Sequence, residues 1–214
     1  MSKKMDHLNK YIDPNSVVDS KAIIGDGTSV WCYAHIREDV NVGKNCNIGN
    51  GVYLDKGVKV GNNVSIQNKT LVYRNTIIQD DVFVGPNVVF TNDRNPRSGV
   101  IRDLTGISWS IGKGSSIGAS STIMSDINIG KYAMVGANSL VTKDVPNHGL
   151  VYGSPAKLMG YVCKCGMKFE KDSFTKCKKC EMEIDANGKI IQEWYYVKWI
   201  KITQQLVNKF RNTK

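Results

Sequence analysis

An aliphatic or aromatic residue recurs at every sixth position from Ile12, through Val18, Ile24, Val30, Ile36, Val42, Ile48, Leu54, Val60, Ile66, Val72, Ile78 and Val84 to Phe90, without losing frame. Four residues after each stands a small or β-branched side chain, as at Ser16, Ala22, Thr28, Ala34, Cys46, Val64, Thr76 and Val88. Gly often follows the aliphatic residue directly, at Gly25, Gly43, Gly49, Gly61 and Gly85. A helix requires an apolar period near 3.6 residues and an ordinary strand a period of two, so a strict six predicts a parallel β-helix of short strands and turns. Three hexads close one triangular coil, and Gly is expected to take corner conformations that a Cβ would penalise. A single coil cannot bury its own apolar side chains, so stability must come from stacked neighbours.

The frame breaks once, after Phe90, and resumes at Ile111, Ile117, Ile123, Ile129, Val135 and Val141, which makes twenty hexads, or nearly seven coils. The predicted organisation is a lead over residues 1–11, a β-helix over 12–160 with a projecting loop at 91–110, a cysteine module at 161–190 and a tail helix at 191–214. A loop longer than about a dozen residues in a compact domain is usually functional or disordered, and function is expected here. This one leaves at Asn92 and Asp93 and carries Arg94, Arg97 and Arg102, which suit anionic groups. Flat β-helix faces need partners along a face, so a homotrimer is expected, with the loop of one subunit reaching its neighbour and the ligand cleft between them.

Beyond the repeat, Cys163, Cys165, Cys177 and Cys180 form a CxC and a CxxC with eleven residues between. Four thiolates so spaced suit one tetrahedral ion, and a structural zinc in a ribbon-like module is expected, with a metal-free ribbon as the alternative. Cys32 and Cys46 stand singly in the repeat and read as core fillers. From Ile191, the apolar residues Trp194, Val197, Ile200, Leu206, Val207 and Phe210 read as an amphipathic helix packed on the ribbon or on another subunit.

The net charge of +10 is uneven: residues 161–214 hold twelve Lys or Arg against six acids, leaving seventeen against thirteen before them. Such a balance suits nucleic acid, a membrane surface or a ligand with several phosphates, and charge alone does not choose. The N-terminal run MSKKMDHLNKYID lacks an apolar stretch, no apolar run is long enough to span a bilayer, and six cysteines in a chain expected to be intracellular argue against a disulfide framework. A cytoplasmic protein without integral membrane association is expected.

The runs VTKDVP (Val141 to Pro146) and YGSPAK (Tyr152 to Lys157), following the repeat, resemble those of the left-handed β-helix acyltransferases, which use acetyl-CoA or another acyl-CoA. WCYAHIRED (Trp31 to Asp39), DDVFVGPNVVFTNDRNPRS (Asp80 to Ser98) and MGYVCKCG (Met159 to Gly166) narrow the resemblance to the N-acetyltransferases of nucleotide-linked 3-amino sugars, with UDP-2-acetamido-3-amino-glucuronate or dTDP-3-amino-3,6-dideoxyhexose as acceptor. The resemblance implies a left-handed parallel β-helix and transfer of an acetyl group to a sugar 3-amine in surface polysaccharide synthesis. It sets Asn92 beside the amine and thioester as first catalytic candidate. Gln67, Tyr73, Asp93, Arg94 and Arg97 fall to the sugar nucleotide. The coenzyme falls along the later coils, with Ala119 and Ala137 against pantetheine and Lys143 and Lys157 meeting phosphates. His35 is a second catalytic candidate, though repeat geometry turns it outward. The departures at Lys69, Thr70, Leu71, Gln79, Ser125 and Asp126 bear on sugar specificity more than on acyl transfer.

Amine attack on a thioester needs a proton acceptor and a stabilised oxyanion. An amine of pKa about 8 is partly neutral at pH 7, so positioning and backbone donors can supply most of the rate. The alternatives are transfer to another small amine or hydroxyl, or a trimeric scaffold whose basic ribbon contacts nucleic acid, which is not expected. A carbonic anhydrase of the same prism type needs three zinc-binding histidines, and His7, His35 and His148 are too scattered to supply them.

Overall fold

The computed structural model describes residues 10–100, 108–169, 176–185 and 190–192. Each hexad from Ile12 to Val141 except that of Ile129 contributes a two- or three-residue strand, and the strands stack on three flat sheets of nine, seven and five strands. The first face runs from Tyr11–Ile12 to the hairpin Gly149–Gly153 with Ala156–Tyr161, whose last strand is antiparallel. The second runs from Val17–Val18 to Leu140–Val141. The third runs from Ile23–Ile24 to Trp109–Ile111 and is prolonged by single bridges through Ile129 to Val145. Partners lie one coil apart in register, as in Ile12↔Val30, Ile36↔Leu54 and Val42↔Val60. The parallel β-helix predicted from the six-residue period is therefore present.

Side-chain direction follows from the pleat, which alternates residues between inside and outside. The sixth-position residues point inward and are buried from Ile24 to Val141, while the residue before each points out. The small residue two places before each aliphatic one also points inward and fills the corner. Where it is a hydroxyl it bonds a carbonyl of the coil, as Thr28 Oγ1 does to Gly43 O at 2.7 Å and Thr70 Oγ1 to Gly85 O at 2.9 Å. Cys46 fills such a corner and is buried, but Cys32 falls two residues after Val30 and is half-exposed, so only one of the two expected core fillers is one. Ile12, on the first described coil, is 38% exposed, since no described coil stacks on that side of it.

The glycines that directly follow the aliphatic residue have a different cause from the one expected. Their φ is not positive; a Cβ on Gly43 would lie 2.5 Å from Gly61 O in the next coil, and one on Gly85 would lie 2.7 Å from Ala119 N. The left-handed residue comes two places later; there Gly does take the expected corner conformation at Gly27, Gly51, Gly57 and Gly114, at 63° to 71°, and Asn or Asp takes it elsewhere, with Asn45, Asn63, Asn75, Asp81, Asn87 and Asn138 between 55° and 68°. Corner amides are capped from the following coil: Asn62 Oδ1 accepts from Lys44 N at 2.9 Å and Asp80 Oδ1 from Asn62 N at 2.8 Å.

Across the break, Val84 pairs with Ile117 and Phe90 with Ile123, 33 residues on instead of 18, so 15 residues are looped out. The excursion starts after the second-face strand Val89–Phe90 and ends at the third-face strand Trp109–Ile111, which roots it at the corner between those faces. Phe90 and Trp109 are both buried at its two roots, and Trp109 fills the corner place that is small elsewhere. Arg102 lies outside the described residues. So does most of the expected tail helix. Ile191 and Gln192 correct its start: they belong to the strand Ile190–Gln192, paired antiparallel with Glu183–Ile184, where β-branched Ile190 and Ile191 suit a hairpin better than a helix.

Candidate functional site

Two of the three corners carry mostly Gly in the place just after the aliphatic residue, because the coils approach there. The corner between the second and third faces instead carries Asp19, Arg37, Asp55, Tyr73, Thr91, Met124 and Thr142. Side chains project from this corner along the whole prism, and the long loop leaves from it.

Asp55 is at its centre, with a side chain only 3% exposed. Its Oδ1 accepts from Arg37 Nη1 at 3.0 Å, Tyr53 OH at 3.1 Å and Lys56 N at 2.8 Å. Its Oδ2 accepts from the backbone N and the Nε of Arg74, each at 3.2 Å. Burial works against this carboxylate, but the donors from Lys56 and Arg74 outweigh it and hold Asp55 below the ordinary carboxylate range. Tyr53, fixed by that bond, meets His35 edge-on at 5.5 Å between ring centroids and Tyr73 at 5.9 Å. An aromatic strip thus leads down the second face.

The loop begins at Thr91, whose backbone N bonds Ile123 O at 2.9 Å and whose Oγ1 accepts from Ser125 N at 3.1 Å. Arg94 donates through Nε and Nη2 to Ser125 O, at 3.2 and 2.8 Å, and so ties the loop back to the prism. The departure at Ser125 is therefore where the loop docks. Arg97 turns Nη1 onto Pro96 O at 2.9 Å. The Asn92 side chain, just after Thr91, is half-buried and makes no hydrogen bond among the described residues, leaving a donor and an acceptor at the loop exit.

The register decides which sequence candidates come together. Carried past Val72↔Phe90, it sets Tyr73 against Thr91 and Arg74 against Asn92. Lys143 lies on the same corner, two coils beyond Asn92. His35 lies three coils to the other side of Val89, roughly 14 Å along the axis at a coil spacing near 4.8 Å, and is exposed. Gln67, Ala119 and Ala137 share the opposite edge of the second face, at its corner with the first, and Gln67 Nε2 bonds Ser65 Oγ at 2.8 Å. Lys157 stands on the final hairpin opposite Tyr152. Within one chain, then, Ala119 and Ala137 lie on one edge of this face and Asn92 on the other, but the division is not clean: Gln67, read as an acceptor contact, shares the edge of the two alanines, and Lys143, read as a coenzyme contact, shares that of Asn92. Arg37, Asp55 and Arg74 were missed by sequence reasoning. Their signal was present: every third hexad lacks the Gly, a period of eighteen superposed on the period of six.

The four cysteines of the C-terminal module do converge. Their Sγ atoms lie within 4.8 Å of one another, with Cys163 to Cys180 at 2.9 Å and Cys165 to Cys177 at 3.6 Å. Two tight turns make the cluster, Gly166 N bonding Cys163 O and Glu181 N bonding Cys177 O, both at 2.8 Å. A zinc ion with four sulfur bonds of about 2.3 Å needs sulfurs roughly 3.8 Å apart, a distance that the observed separations bracket, so these four residues can close on one ion. Burial pushes the Cys163 thiol up, while at Cys177 the backbone donors of Cys180 and Lys179 outweigh burial and bring it down to about 7. The module is seated on the last coils, where the buried His148 bonds Val162 O through Nδ1 at 2.9 Å and stacks on Tyr132 at 5.3 Å. Among the described residues no helix is long and apolar enough to cross a membrane.

The bacterial transferase hexapeptide model (six repeats) matches residues 21–56, and the hexapeptide repeat of succinyl-transferase matches 39–74 and 109–143, on either side of the loop. The dTDP-3-amino-3,6-dideoxy-alpha-D-galactopyranose 3-N-acetyltransferase of Aneurinibacillus thermoaerophilus is 48% identical over 160 residues, 75% of this chain and 82% of that one. A Bacillus cereus protein assigned as an acetyltransferase superposes at a TM-score of 0.50 and 26% identity, over 73% of this chain and 80% of its own. A hexapeptide transferase family protein of Anaplasma phagocytophilum shares the fold at a TM-score of 0.50 and 24% identity, over 74% and 87%. With the repeat, the prism and a relative matched over most of both lengths, the chain belongs to the hexapeptide-repeat transferase family, alongside the N-acetyltransferases of nucleotide-linked 3-amino sugars.

Proposed function

We propose that this protein transfers the acetyl group of acetyl-CoA to the 3-amino group of a nucleotide-linked amino sugar, acting as a homotrimer. The observation that carries the reading is Asn92: a half-buried amide without a partner among the described residues, at the root of the long loop that leaves the prism. Its carbonyl oxygen accepts from the amine and orients the nitrogen lone pair toward the thioester carbon. The amine nitrogen bonds that carbon, the C–S bond breaks, and the proton lost by nitrogen ends on the coenzyme sulfur as a thiol. A dedicated protein base is not needed when the amine is partly neutral, so orientation supplies the larger share of the rate. His35, exposed and roughly three coils away, fits a base poorly within one chain.

The same geometry supports the trimer. Ala119 and Ala137 lie on one edge of the second face and Asn92 on the other, so donor and acceptor meet when the loop corner of one copy faces the small-residue corner of the next. Four thiolates able to close on one ion support a structural zinc held by Cys163, Cys165, Cys177 and Cys180; with all four positions filled by protein, the ion would brace the module and take no part in transfer. Incubation with acetyl-CoA and a panel of UDP- and dTDP-linked 3-amino sugars, read by mass spectrometry, should give a single acetyl addition at the amine. No product with any of them refutes the reading. Light scattering should return three times 23.7 kDa, about 71 kDa, and a monomer refutes the trimer.

A further inference from the structure

The two described arginines of the loop are engaged by the protein itself. Arg94 is committed to the Ser125 carbonyl and Arg97 turns back on Pro96. Of the two arginines on the neighbouring coils, Arg37 is closed in by Asp55 and by Glu38, at 3.0 and 2.9 Å. Arg74 differs. Asp55 grips its Nε and its backbone N, while its terminal amino groups make no bond among the described residues and its side chain is 49% exposed. A guanidinium fixed at Nε by a buried carboxylate presents the rest of its fork in one orientation, which is what bidentate capture of two phosphate oxygens requires.

We infer that Arg74 binds the diphosphate of the acceptor, with Asp55 as its positioning residue. The inference rests on the proposal that the acceptor is a nucleotide-linked amino sugar. Register places Arg74 one coil from Asn92, about 4.8 Å along the axis, and a pyranose ring separates its 3-amine from the oxygen on C1 by roughly the same distance. A sugar with its amine at Asn92 and its ring along the corner therefore delivers its first phosphate to Arg74. Tyr73 and Tyr53, continuing the strip away from the loop, offer flat apolar surface in the direction where the nucleoside must then lie.

The test is calorimetric binding of UDP, dTDP, inorganic pyrophosphate and coenzyme A to the intact protein and to Arg74→Ala, Arg74→Lys and Asp55→Asn. Arg74→Ala should weaken the two nucleoside diphosphates and pyrophosphate by tenfold or more and leave coenzyme A within twofold. Arg74→Lys should recover only part, because a point charge lacks the fork, and Asp55→Asn should fall between wild type and Arg74→Ala. Melting curves establish that each variant is folded, and Arg74→Lys decides the matter if Arg74→Ala is not. Equal nucleoside diphosphate affinity in wild type and the folded Arg74 variants, or a loss confined to coenzyme A, overturns the assignment. Since binding is measured without turnover, a wild type that binds these nucleotides through Arg74 but acetylates no amino sugar refutes the proposed reaction and leaves this assignment standing.

Discussion

Replacing Asp55 by Ala removes five accepted hydrogen bonds at once, two from guanidinium groups, one from Tyr53 and two from the backbone. Hydrogen bonds to charged groups are worth about 1.5–3 kcal/mol each, and breaking a buried ion pair by deleting one partner costs about 3–5 kcal/mol. Arg37 and Arg74 are 33% and 49% exposed on their side chains and can turn to water, which places the loss at the lower end, about 3 kcal/mol. For a chain of this length that lowers the melting temperature by about 6–12 °C. The assay is thermal and urea unfolding followed by circular dichroism, at matched protein concentration because subunit association shifts the midpoint. The sign of the pH dependence follows from a depressed carboxyl. Its stabilisation is complete above the ordinary Asp value of about 3.9 and is lost as pH falls through the lower folded value. The gap between wild type and variant should therefore be constant near neutrality and close in acid. A shift under about 2 °C, or a gap that widens on acidification, refutes the account of Asp55 as the buried clasp of this corner.

Asn92→Ala should lower kcat about a hundredfold with little change in the KM for acetyl-CoA, because a misplaced amine loses its approach geometry; His35→Ala should lose far less, and the reverse order exchanges the two roles. Gly43→Ala puts a Cβ 2.5 Å from the next coil and should cost about 1–3 kcal/mol, whereas Gly57→Ala meets open space and is charged only for its φ of +71°, about 1–2 kcal/mol, as urea midpoints would show. Purified protein should carry one zinc per chain by elemental analysis, and Cys163→Ser should lose the metal and melt earlier; full-length protein without zinc refutes the site.

Much of the fold was legible because a solenoid converts sequence spacing into spatial spacing. The six-residue period named the strands from Ile12 to Val141, and the single loss of frame at Phe90 marked the loop. The glycine positions were legible too, but their cause was not: that Gly43 avoids Gly61 while Asn45 takes the left-handed turn depends on how closely adjacent coils approach. The cysteine cluster was readable from spacing, since four thiols on two short turns have little choice but to meet. The start of the tail was misread because Ile191 fits a helical stripe and a hairpin strand equally well until Glu183–Ile184 is seen beside it.

The candidate site was read in pieces. Asn92 and the loop arginines came from a break and a resemblance, yet Arg94 proved to hold the loop down, and Arg74 and Asp55 were unremarked. Sequence by itself determined the prism, because inward residues six apart admit no other stacking, and it determined the convergent cysteines. Only the tertiary structure decided which corner carries chemistry. Residues 18 apart in the chain become neighbours a single coil apart, so Arg37, Asp55, Arg74 and Asn92 share one edge that no local window of sequence contains.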